Sequence, residues 1–418
     1  MIIIAAFITT VFLYGLVSGR LERTILTAPI LFAASGALMH FSHEALRELT
    51  IDRQDLLLMA ELGLVMTLFT DASRVRPSML RGETNLPARL LSVGMLLTIA
   101  SGMVCAKLVF PQLTWPETGI LASILAPTDA GLGQIIVSSP HVPPRIRQAL
   151  NVEAGLNDGL SVPFLMFFIA LAVARETGQH GGVLARYLIE QLGYGTLIGL
   201  GIGLVGGCLL NLALRRRWMA ESAAQLGVVA LPIFCVLAAE SSGASMFIAA
   251  FVAGLATQVA FSEVGQQNVE FTEEWGQLFN FFVFFLFALS CAGALSQFNF
   301  AIFVYSVLSL TLIRMVPVAI ALRGTHLSRP TTLFMGWFGP RGLASIVLGL
   351  VYLEGDTGLQ GESTIKLTVM ATVLLSIVAH GLSALPSINR YAKSIASLGD
   401  HAPEHASTAA DRVSSDEA

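Results

Sequence analysis

The chemistry available to this chain is held by a few ionisable residues inside long apolar stretches. Glu61, Asp71, Asp129, Glu153, Asp158, Arg314, Arg341 and His380 are surrounded mainly by aliphatic, Phe and Gly residues. A charge at bilayer depth costs roughly 3 kcal/mol or more unless it is paired or hydrated, so each is a candidate for function. Asp129 belongs to Ala126-Pro127-Thr128-Asp129-Ala130-Gly131-Leu132-Gly133. Pro127 removes a backbone donor and clashes with the preceding turn, so a helix breaks there. Freed carbonyls at that depth are tolerated only in a cavity or buried in protein. Together with Thr128 and Asp129 they make a natural cation site. A second segment, Asn151-Val152-Glu153-Ala154-Gly155-Leu156-Asn157-Asp158-Gly159, sets Glu153 and Asn157 on one helix face and Asp158 about 100° further round. A third, Gly336-Trp337-Phe338-Gly339-Pro340-Arg341-Gly342, repeats the Pro/Gly break and adds an arginine. A buried arginine needs a carboxylate partner; Glu153 is the first choice and Asp129 the second. Desolvation of a carboxylate favours its neutral form, and a bound cation favours its charged form.

The elements that carry these residues follow from composition. Of 418 residues, 54% are hydrophobic and 12% charged, against about a quarter charged in soluble domains. Mean hydropathy is +0.72. Lys plus Arg number 24 against 28 Asp plus Glu, so there is no basic excess to meet phosphates. A soluble enzyme, a disordered protein and a nucleic-acid binder are excluded. The apolar runs are continuous rather than alternating, which excludes a β-barrel. Cys105, Cys208, Cys235 and Cys291 lie in apolar stretches and suggest neither a disulfide framework nor a zinc site. Nothing implies a cofactor.

The expected fold is therefore an all-α polytopic membrane protein of about thirteen transmembrane helices. They lie near 2–19, 25–41, 55–71, 88–110, 117–138, 147–174, 194–214, 222–241, 243–261, 275–295, 301–322, 331–353 and 365–385, with a polar, disordered tail over 386–418. The opening Met1-Ile2-Ile3-Ile4 lacks a charged leader region, so 2–19 reads as a retained span. Arginines and lysines favour the odd-numbered loops and the tail: Arg20, Arg23, Arg74, Arg76, Arg81, Arg89, Arg145, Arg147, Arg215 to Arg217, Arg323, Arg329, Arg390, Lys393 and Arg412. This places the N-terminus outside and the C-terminus in the cytoplasm. The loop at 262–274 is anomalous, being acidic through Glu263, Glu270, Glu273 and Glu274. Breaks in the fifth and twelfth spans suggest inverted repeats, spans 1–6 and 8–13, with two broken helices crossing at the ion site.

These motifs resemble those of the monovalent cation/proton antiporters, nearest the NhaP-type and mammalian sodium/hydrogen exchanger branch. The resemblance rests on Pro127-Thr128-Asp129, Glu153-x-Gly155-Leu156-Asn157-Asp158-Gly159, Gly339-Pro340-Arg341-Gly342 and Leu68-Phe69-Thr70-Asp71, and covers about residues 1–385. It implies a homodimer in the plasma (inner) membrane with dimerisation helices over about 1–71 and 222–295. It implies core helices over about 88–174 and 301–385 that move as a unit, and a linker helix over about 194–214. It implies that Asp158 carries the cation or the proton, that Asn157 marks electroneutral exchange, and that Glu153, Asp129 and Thr128 surround the ion while Arg341 pairs with Glu153. Ala154 stands where such proteins often have Ser, which leaves Na+ against K+ or Li+ open.

Other residues carry weaker expectations. Asp71 caps a helix or faces a funnel, Glu61 faces a cavity or pairs with Arg314, and His380 is a packing residue rather than a pH sensor. Gly195, Gly199, Gly203 and Gly207 form a small-residue stripe for close helix packing, within the protomer or at a dimer seam. The competing functions are a K+-selective proton antiporter, a sodium-coupled organic-solute carrier, a channel, a membrane receptor and, remotely, an intramembrane aspartyl protease using Asp129 and Asp158. The protease lacks its Gly-x-Gly-Asp motif here.

Overall fold

The computed structural model describes residues 2–21, 24, 26–42, 53–74, 86–177, 189–261, 266–354, 358–396, 398 and 402–405. Arg23, Arg76, Arg81, Glu263 and Arg412, used in the orientation argument, and residues 406–418 of the tail lie outside these. The described secondary structure is helical. In chain order it comprises α1 (Ile2–Leu21), α2 (Ala28–Ser42), α3 (Arg53–Arg74), α4 (Leu86–Val109), α5 (Trp115–Ile124), α6 (Ala130–Val137), α7 (Pro144–Thr177) and α8 (Ile189–Arg215). Then follow α9 (Glu221–Ser242), α10 (Met246–Ala260), α11 (Gln266–Ala294), α12 (Phe300–Ala321), α13 (Arg329–Trp337), α14 (Leu343–Glu354) and α15 (Glu362–Ile395). Among the described residues eight helices, α1, α4, α7, α8, α9, α11, α12 and α15, are long and apolar enough to cross a membrane; α2, α10 and α14 are apolar but shorter.

Two groups of helices pack side by side. In one, α8 lies on α10, α10 on α3, and both α2 and α3 on α11. In the other, α4 lies on α5, α5 on α7, and α12 and α14 on α15. They meet where α3 touches α7 and α14 and where α10 touches α7. The glycine stripe of α8 is consumed inside the protomer. A Cβ at Gly199 or Gly203 would run into the backbone carbonyls of Ala249 and Ala253 on α10. The seam is therefore α8 against α10, the small-residue geometry that lets two backbones approach.

Helix starts follow local capping. Thr114 and Glu117 form a capping box at α5, and Ser245, Asn299 and Ser328 accept backbone N–H groups at α10, α12 and α13. Segments expected on one side of the membrane lie together. Arg89, just past the third loop, donates to the carbonyl of Arg323 in the eleventh at 2.7 Å, and Asn211 donates to the Ala260 carbonyl at 3.2 Å. At the opposite ends, Gly361 N–H donates to Glu117 at 2.8 Å and Gln191 to the Gly243 carbonyl at 2.9 Å.

The last helix departs from expectation. α15 runs to Ile395, ten residues past the expected span end at 385, and residues 386–395 are ordered helix rather than tail. Ala384, Ile388, Tyr391 and Ile395 recur at helical spacing, are buried, and pack with Phe334, Ile136 and Ile146. The tail itself includes a docked turn at Pro403–His405, with Glu404 buried.

Candidate ion site

The site is built where the two broken spans cross. α5 stops before Pro127, and α6 starts at Ala130 with Asp129 as its N-cap. Asp129 Oδ1 accepts the Leu132 N–H at 2.8 Å, and Oδ2 accepts the N–H of Leu343, the first residue of α14, at 2.5 Å. Its own N–H donates to the Pro340 carbonyl at 2.8 Å. One carboxylate therefore meets the positive ends of two half-helices, α6 and α14. A Cβ at Gly342 would collide with the Asp129 carboxylate, so only glycine lets the two breaks approach this closely.

α7 passes the crossing with its own polar face. Asn157 Oδ1 accepts the Thr128 N–H at 3.2 Å, and its Nδ2 donates to Thr128 Oγ1 at 2.6 Å. The amide thus pins the residue before the cap. Asp158 is 5% exposed, and its Oδ1 has no hydrogen-bond partner. Asp129 and Asp158 line one cavity of about 570 Å³, whose walls include Thr67, Asn280 and Phe284 and which extends to Leu26 and Ser139. Asp129 has both oxygens committed to backbone N–H groups. Asp158 lines the cavity and has one buried oxygen, Oδ1, that is uncommitted. Of the two, Asp158 is the better placed to take a cation or a proton.

The arginines correct one expectation. Glu153 does not pair with Arg341; it pairs with Arg314 of α12, at 2.5 Å from Nη1 to Oε1 and 2.8 Å from Nη2 to Oε2. The bidentate fit is reached because α12 is interrupted at Thr311, where φ is −113° and ψ −94°, and turns Arg314 toward α7. Arg341 donates instead to the carbonyls of Ala126 and Pro127, acceptors freed at the C-terminal, negative end of α5 by the break. Its backbone N–H goes to Ser376 Oγ at 2.7 Å. Arg341 and Glu153 remain electrostatic neighbours without touching. Asp129, the second choice for Arg341, is occupied by backbone.

The remaining candidates sort as follows. His380 is buried and bonds Ser376 and the Trp337 carbonyl, a satisfied packing residue. Glu61 neighbours Glu240 and Glu354 and does not reach Arg314, which Glu153 holds. Asp71, on α3, packs against Gly155 and lies within electrostatic reach of Asp158. Two buried carboxylates were not singled out: Glu117, which fastens Gly361, and Glu404. Thr114-x-x-Glu117 before an apolar run is a capping-box signature that could have flagged the first.

Comparison with known proteins gives the family and the fold. The family described as "Sodium/hydrogen exchanger, transmembrane" matches residues 5–389. A protein of Schizosaccharomyces pombe named "Na(+)/H(+) antiporter" is 24% identical over 66% of this chain and 65% of its own length. One of Alkalimonas amylolytica named "K(+)/H(+) antiporter NhaP" is 24% identical over 91% of this chain and 65% of its own. The chain thus spans about 65% or less of the first curated relatives it matches. The fold is that of the sodium proton antiporter MjNhaP1 from Methanocaldococcus jannaschii, with a TM-score of 0.71 at 17% identity, over 94% of this chain and 99% of that one. The crossing of two broken helices beside an aspartate with an unpartnered oxygen is thus set in a chain that belongs to the sodium/hydrogen exchanger family.

Proposed function

We propose that the chain is an electroneutral antiporter that exchanges one monovalent cation for one proton by alternating access, with Asp158 as the shared site. Na+ is the favoured cargo. The observation that carries this reading is that Asp158 lines the cavity while its buried Oδ1 has no hydrogen-bond partner. Charge count supports the stoichiometry. The groups buried at the crossing are Arg314, Arg341, Asp129, Glu153 and Asp158. With every one ionised they leave a single negative charge, which one proton or one monovalent cation cancels. A bare carboxylate is costly to carry past an apolar barrier and a neutral one is not. Only the loaded core moves, and an empty crossing is held back. Asp129 and Asn157 hold the crossing; Thr128 adds backbone or hydroxyl oxygen to the cation.

In the orientation read from the loops, the cavity mouth at Leu26 and Ser139 faces the cytoplasm, with the N-terminus outside and the C-terminus inside the plasma (inner) membrane. The group α4–α7 with α12–α15 is the moving core, and α1–α3 with α9–α11 the dimerisation part of a homodimer, linked by α8. Exposed Phe12, Leu13 and Leu16 on α1 offer apolar surface to lipid or to a second copy.

A K+-selective reading is kept for one observation. Ala154 lines a void of about 20 Å³ with Thr128, Asp129 and Asn151, and lacks the hydroxyl a serine would place there. The test is reconstitution in proteoliposomes, titrating Na+, Li+ and K+ against a pH dye with and without an imposed membrane potential. Saturable, potential-independent exchange is expected. Ionic current, or a requirement for an organic anion, would overturn the reading.

A further inference from the structure

Glu404 lies beyond the last helix, yet it is 1% exposed. Its Oε1 accepts the Ser328 N–H at 2.8 Å and the Thr331 hydroxyl at 2.8 Å. Ser328 is the N-cap of α13. The carboxylate therefore sits on the positive end of that half-helix. Tyr391 of α15 joins the same group, 3.0 Å from Thr331 Oγ1, and its ring stacks on Phe334 of α13 at 4.2 Å between centroids. One residue before Glu404, the Pro403 carbonyl accepts from Arg145 in the first turn of α7. That helix carries Glu153, Asn157 and Asp158. A short piece of tail thus gathers the ends of α7, α13 and α15.

α13 has 9 residues, too few to hold a helix by itself in isolation. It packs on α12 and α15 through Phe334 and Met335, and polar contacts anchor its two ends. The far end runs into the break, where the Pro340 carbonyl takes the Asp129 N–H. The near end is held by Ser328, Thr331 and Glu404. The segment from Ser328 to Pro340 thus connects the Glu404 contact to the cap of α6 beside Asp158.

We propose that Glu404 is a positioning residue of the exchanger: its docked carboxylate fixes α13, and with Pro403 the start of α7, so that tail engagement sets the geometry of the ion site. The inference rests on the exchange reading above.

The test uses full-length Glu404→Gln and Glu404→Ala protein in proteoliposomes, with exchange rate measured against cation concentration and normalised to folded protein, beside melting curves. Glu404→Ala is expected to raise the KM for the cation by about threefold or more, the scale of losing one helix cap, with a smaller change in kcat. Glu404→Gln should fall between it and wild type, because its amide oxygen still accepts both bonds but carries no charge. Wild-type KM and kcat in both variants would overturn the proposal. So would a lowered melting temperature with wild-type KM, since a purely structural clip does that. Wild-type protein that exchanges no cation would instead overturn the functional reading, and this inference with it.

Discussion

At the scale of single residues, Glu153 is paired and Asp158 keeps an unpartnered oxygen. Glu153 and Arg314 satisfy each other, so removing either leaves a buried charge alone. Arg314→Ala or Glu153→Ala should each cost about 3–5 kcal/mol, read as a lower melting temperature and less monodisperse protein in detergent. Arg314→Met with Glu153→Leu should recover much of that loss; single variants that melt like wild type would remove the pair from the account. Asn157 does two things for Thr128, accepting its N–H and donating to its hydroxyl. Asn157→Asp keeps the acceptor, loses the donor and adds a second carboxylate beside Asp158. Exchange by that variant should become sensitive to an imposed membrane potential; potential-independent exchange at the wild-type ratio would contradict the charge count. The identity of the ionisable residues was legible in the sequence because they stand alone in apolar runs. Their pairing was not. Nothing in the sequence shows that Arg341 finds the freed carbonyls of Ala126 and Pro127, nor that the interruption at Thr311 turns Arg314 onto Glu153.

At the scale of elements, breaks and seams were readable for a local reason. Pro127 and Pro340 remove backbone donors, and both interruptions appear where the sequence places them. The glycine stripe of α8 was readable as a close seam, but its partner, α10, is a tertiary fact that periodicity alone does not contain. The seam gives a direct contrast. Gly203 faces the Ala253 backbone, whereas Gly201 faces open space. Gly203→Val should cost about 1–3 kcal/mol by overpacking, while Gly201→Ala should be neutral or stabilise by up to about 1 kcal/mol. Melting curves of the purified variants check both; equal effects would mean that the seam is elsewhere. The extension of α15 to Ile395 had a signal, the spacing of Ala384, Ile388, Tyr391 and Ile395, masked by the polar residues between them.

At the scale of the whole molecule, the docked tail adds a pH statement with a definite sign. Burial by itself would raise the Glu404 carboxyl, but hydrogen bonds from Ser328 and Thr331 outweigh it and leave it below the usual carboxylate range. Among the described residues, Arg145 and Tyr391 are the titratable groups that face it. A carboxyl lowered on docking contributes stability that is fully present above its free value of about 4.3 and is lost as pH falls through the docked value. Hydrogen-exchange protection at Ser328–Thr331 should therefore be constant between about pH 6 and 9, apart from intrinsic exchange rates, and fall only in stronger acid. Loss of protection near neutrality would show that another group controls the tail. The proposed exchange cycle, by contrast, turns on one carboxylate that lines the cavity, Asp158. The most direct measurement is cation-driven pH change in proteoliposomes containing Asp158→Asn protein of wild-type melting behaviour, with Na+ and K+ each supplied as the driving gradient. Expected is no exchange with either cation, because the amide can neither bind the proton nor balance the cation's charge. Exchange at the wild-type rate with either ion would contradict Asp158 as the shared site.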